Sequence, residues 1–156
     1  MDKSIEEKFE EVFQGLAKKD KKKSEEANEK IKRQAAINEE FIKITGEVIE
    51  PAMLEIKEYL KGKSYFAKID KNSMPRNDRS IKFEIATVPN PYDHKDRVPY
   101  LWIASSSNLG SVLIRQSTIS KTRGGNSGGS KAVKIEEVTR SFVQNAILDI
   151  FKAAYG

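Results

Sequence analysis

The sequence predicts an α+β fold: a long or kinked N-terminal helical region, a meander-like antiparallel sheet of four to five strands, and a C-terminal helix packed on that sheet. Three observations predict it. Up to Lys63 the apolar residues recur at the helix period. From Ser64 to Val88 they alternate with period two, and strand-like runs continue to Glu137 between breaks carrying Gly, Pro and Asn. After Thr139 the helix period returns. By region, residues 1–63 form a helical, partly coiled-coil-like part. Residues 64–156 form a basic sheet plus C-terminal helix, one structural domain together with 49–63.

From Asp2 to Leu16, Ile5, Phe9, Val12, Phe13 and Leu16 follow the helix period, with Glu6, Glu7, Glu10 and Glu11 mostly at the rim. Lys18 to Arg33 is almost wholly polar but contains no Gly or Pro and is rich in Lys and Glu, so the helix is expected to continue through it, exposed. Ala35, Ile42, Ile49 and Ile56 then repeat every seven residues, a seam that packs best against another helix. Asn28, Asn38 and Thr45 weaken it, and Gly46 and Pro51 predict a kink or a new helix start within it. Lys61-Gly62-Lys63 reads as a helix stop, with Gly62 free to adopt the left-handed conformation.

Period two begins with Tyr65, Ala67 and Ile69 in a strand from Ser64 to Asp70. The clearest strand runs from Ser80 to Val88, where Ile81, Phe83, Ile85 and Thr87 alternate with Lys82, Glu84 and Ala86. Pro89, Pro91 and Pro99 bracket a charged loop. Tyr100 to Ser105 and Ser111 to Ser120 form a hairpin turned by Ser107, Asn108, Leu109 and Gly110. Ala132 to Glu137 is read as a short closing strand. Thr139 supplies an N-cap oxygen to a helix whose stripe is Phe142, Val143, Ala146, Ile147, Ile150 and Phe151.

Composition excludes several classes. Cysteine is absent, which removes disulfides, thiolate catalysis and Cys-based zinc sites. Residues 1–9 carry no apolar secretory core and no apolar run approaches a membrane span, so a cytoplasmic protein without membrane contact is expected. The net charge of +5 is unevenly placed. Residues 1–63 hold 14 Lys or Arg against 15 Asp or Glu, leaving 14 against 8 in the remainder. All the excess cation therefore lies in the sheet half, which suits an acidic partner.

No motif rises to a catalytic, metal or cofactor signature. His94, the single histidine, sits among Asp93 and Asp96 in the Pro-bounded loop and reads as a solvated residue. Gly124 to Lys131 resembles a phosphate cradle only superficially, because Lys131 is followed by Ala132 and a strand where a Walker loop has Ser or Thr and a helix. An enzyme would need carboxylates such as Glu84, Asp93, Asp96 or Glu136 to converge in a pocket. Lys18 to Lys23 is flanked by Glu25, Glu26 and Glu29, which fits a solvated helix face better than a membrane anchor.

Two surfaces remain. The assembly seam consists of Ile31, Ala35, Asn38 and Ile42, with Ile49 to Leu60 serving the protein's own core. The candidate anion or nucleic-acid surface gathers Arg76, Arg79, Lys82, Arg115, Lys121, Arg123, Lys131 and Lys134, joined by Arg140; the aromatics Tyr65, Phe66, Tyr92, Tyr100 and Trp102 lie on or beside the same sheet, and most of them are expected in the core. The expected function is non-catalytic: self-association or binding of a partner protein through the N-terminal helix, with nucleic-acid binding by the basic half as the alternative.

Overall fold

The computed structural model describes residues 2–74, 77–88, 98–119 and 128–156, and its architecture is the predicted α+β class. Helix α1 spans Lys3–Ile44, a π-helical turn spans Thr45–Ile49, and α2 spans Glu50–Lys61. Strands β1 (Phe66–Ser73), β2 (Arg79–Ala86), β3 (Tyr100–Ser106), β4 (Ser111–Ser117) and β5 (Lys131–Val133) follow. A 3₁₀ turn at Ile135–Glu137 and helix α3 (Arg140–Tyr155) complete the chain. The strands lie in sequence order in one antiparallel sheet, a meander. The chain falls into two compact units, residues 1–33 and residues 34–156.

The first unit is a single stretch of helix. Its apolar residues Ile5, Phe9, Val12, Phe13 and Leu16 are between 44% and 59% exposed, and none is buried. The rings of Phe9 and Phe13, one helical turn apart, stack with centroids 6.3 Å apart.

The second unit holds the core. Pleating sends Ile81, Phe83 and Ile85 of β2, Leu101 and Ile103 of β3, and Val112 and Ile114 of β4 to one face, where they meet α2 and α3. Ile49, Ala52, Met53 and Leu60 come from the π-turn and α2, and Val143, Ala146, Ile147 and Ile150 from α3. Ile37 and Phe41 of α1 join them at 4% and 1% exposure. Thr139 caps α3 as the sequence implies, its Oγ1 accepting from the Phe142 amide at 3.1 Å. At the other end of α3, Tyr65 packs edge-on to Phe151 at 4.9 Å and lies 5.4 Å from Tyr155. The Tyr155 hydroxyl donates to the Ile85 carbonyl at 3.3 Å, tying the helix end to β2.

Four local expectations change in detail. The interruption expected at Gly46 and Pro51 is a π-turn with the helix running on, and Pro51 is the second residue of α2, directly after that turn. A π-turn bonds i to i+5, so it inserts one residue and rotates the following face by about 100°. Ile42 and Ile49 therefore do not share a seam despite their spacing of seven: Ile42 is 54% exposed and Ile49 fully buried. Gly62 is right-handed, with φ −65°, and the left-handed residue is Ser64, with φ 65°. The reason is two further turns after the helix, in which Ser64 N–H donates to Lys61 and Tyr65 N–H to Leu60, moving the reversal onto Ser64. The closing strand stops at Val133, because Ile135–Glu137 coils into a 3₁₀ turn in which the Lys134 amide donates to the Glu137 carboxylate at 3.3 Å.

Candidate functional site

The pleat divides the predicted basic surface between two faces. On the face opposite the core, the cross-strand row Asp70–Lys82–Trp102–Arg115 runs across four strands, beside the row Lys68–Glu84–Tyr100–Ser117. Among the described residues of this unit the helices pack on the other face, and this one carries charge and rings. Lys82 Nζ lies 4.5 Å from the centre of the Tyr100 ring and 3.0 Å from Glu84 Oε1. The Arg115 guanidinium stacks on Trp102 with Cζ 5.0 Å from the ring centre. It also donates to Ser130 Oγ, from Nη2 at 3.0 Å and Nε at 3.3 Å. Lys82 is thus neutralised by a neighbour, whereas Arg115 meets no carboxylate among the described residues.

The other cations point elsewhere. Arg79, at the start of β2, donates to Ser73 Oγ and is exposed. Lys131 pairs in register with Ile114 and lines a cavity of about 700 Å³ against α3, together with Phe142 and Asp149. Lys134 precedes the 3₁₀ turn and is exposed. Arg140 reaches Glu55 at 3.8 Å, across α2 and α3. Arg76, Lys121 and Arg123 lie outside the described residues, as do Tyr92, Asp93, His94 and Asp96. Of the remaining carboxylates considered for catalysis, Glu84 is held by Lys82 and Glu136 is exposed on the 3₁₀ turn.

The assembly residues are also resolved into roles. Ile31 is 61% exposed and Ile42 54%, Ala35 is exposed, and Asn38 is half-buried beside the core residues Ile37 and Phe41. The stretch Ile31–Ile42 therefore carries two faces, one serving the core and one open. Sequence pattern missed that Tyr100 and Trp102 lie on the outer face, because Leu101 and Ile103 are apolar too and the strand shows no alternation. It also missed Ser130 as the partner of Arg115, which only the register of β4 reveals.

Among the described residues there is no cluster of three or more His, Asp or Glu suited to a metal ion. Among the described helices none is long and apolar enough to cross a membrane. Compared with known proteins, the chain matches no family model, no curated protein and no solved structure.

Proposed function

We propose that this chain is a non-catalytic assembly protein that pairs with a second copy of itself through the N-terminal helix and displays its sheet unit. The supporting observation is the stripe of Ile5, Phe9, Val12, Phe13 and Leu16, exposed on a unit that consists of one helix. Ile5, Phe9, Val12 and Leu16 follow steps of four, three and four, the spacing that seats one helix against another. Such a stripe gains by burial against a partner. Glu6 and Lys8 flank it with opposite charges, which suits pairing of like with like. Ile31, Ala35 and Ile42 supply further exposed apolar positions on the same helix. The test is Phe9→Asp with Val12→Asp in the full chain. Association is lost while the near-ultraviolet signal of the sheet unit persists; unchanged association refutes the reading.

A second reading is favoured by the Arg115–Trp102 and Lys82–Tyr100 pairs, which place cations and rings together on the half-buried sheet face opposite the core, a combination suited to single-stranded nucleic acid. The face is only weakly basic, since Asp70 and Glu84 balance two of its cations. Trp102 is the only tryptophan and reports directly. Quenching by a short oligonucleotide that fades steeply with salt supports this reading, and no quenching at low salt removes it.

A further inference from the structure

A groove of about 390 Å³ lies between the π-turn and the first two strands, within the range of small-molecule sites. Its helix side is formed by Ile42, the edge of Phe41 and the backbone at Gly46, and its sheet side by Lys71, Ser73 and Arg79. Four observations converge on it. Glu50 at its rim is matched by Lys71, whose Nζ lies 3.0 Å from Glu50 Oε2, whereas the Arg79 guanidinium donates to the neutral Ser73 hydroxyl and to no carboxylate among the described residues. The lining therefore holds one cation in excess, a guanidinium with the fork geometry that takes a carboxylate. Next to it, Ile42 is an apolar side chain left 54% exposed in the unit that contains the core. Gly46 stands inside a helical run where glycine weakens the structure, yet an added Cβ would meet nothing within 4 Å. Packing does not require glycine there, and the space it leaves belongs to the groove. The wall itself is a π-turn, with Thr45 Oγ1 donating back to the Phe41 carbonyl at 2.7 Å, a backbone form often found at functional sites.

We propose that this groove binds an aliphatic monocarboxylate, with the acid group on Arg79 and the chain along Ile42 and Gly46. The single excess charge selects a monoanion, and the apolar wall selects a ligand with a hydrocarbon body. This site is independent of pairing through the first unit.

Titration of the isotope-labelled full chain with octanoate, followed by amide chemical shifts, tests it. Saturable shifts are expected at Ile42, Gly46, Lys71 and Arg79. Acetate, which lacks the chain, and octanol, which lacks the charge, each bind at least roughly 10-fold more weakly, as does octanoate to Arg79→Ala, because each removes a charge-assisted contact or the apolar burial. Gly46→Leu fills the groove from a position with open space, so it abolishes the shifts in a folded protein. Octanol or acetate binding as well as octanoate, shifts confined to Ile5–Leu16, or undiminished binding to Gly46→Leu would each overturn the proposal. So would the absence of saturable shifts.

Discussion

Phe41 and Ile42 are neighbours in sequence whose replacement by alanine should have very different consequences. Phe41 is 1% exposed within the core, so Phe41→Ala removes a buried ring and leaves a cavity among Ile37, Ile49 and the sheet, costing about 3–5 kcal/mol. Ile42 is 54% exposed, so slightly less than half of its three lost carbons counts as buried. At about 0.8 kcal/mol per buried carbon that is at most ~1 kcal/mol, with no cavity term. Urea unfolding followed by far-ultraviolet dichroism and Trp102 fluorescence measures both. With a slope of about 2 kcal/mol per molar, Phe41→Ala lowers the midpoint by roughly 2 M and Ile42→Ala by no more than about 0.5 M. Equal losses would mean that the buried and open faces of α1 have been assigned wrongly. A cost below ~1 kcal/mol for Phe41→Ala would show that α1 is not anchored in the core.

Two further outcomes follow from local geometry. Ser64 holds a left-handed φ of 65° without being glycine, so Ser64→Gly should stabilise the fold by about 0.5–1 kcal/mol in thermal unfolding, the relief of strain exceeding the added chain entropy. Burial, reinforced by the neighbouring Tyr65, holds the Tyr155 phenol above its ordinary value. Its contribution to stability is fully present below about pH 10 and is lost as pH rises through the folded value. Only the neutral phenol donates to the Ile85 carbonyl, so alkaline unfolding followed by dichroism should show a smaller dependence in this range for Tyr155→Phe. An identical alkaline profile would contradict the role given to Tyr155.

How far the residues alone reveal this fold differs between its parts. Strand β2 is legible because Ile81, Phe83 and Ile85 face the core while Lys82 and Glu84 face out, so polarity and geometry coincide. The α3 cap is legible because Thr139 acts through a contact three residues away. The division of the heptad at Gly46 and Pro51 is legible, with Ile49 to Leu60 turned to the core, but its cause is not: a spacing of seven marks one face only while every turn is α-helical, and the π-turn at Thr45–Ile49 breaks that condition. Nothing in the residue pattern separates a π-turn from a kink at Gly46 and Pro51. The basic surface was legible as a list of cations but not as a place, because alternation and register put Lys82 and Arg115 on one face and Lys131 on the other. The groove was illegible altogether, since Ile42 and Gly46 meet Lys71 and Arg79 only through folding.

Pairing through the N-terminal helix is tested most directly by solution mass, measured by light scattering over a hundredfold range of concentration. The chain has a mass of 17.6 kDa, so association of two copies gives about 35 kDa at high concentration, falling toward the monomer on dilution. The Phe9→Asp, Val12→Asp variant should remain at the monomer mass throughout with its unfolding midpoint unchanged. A wild-type chain that stays at 17.6 kDa at the highest concentration contradicts the account.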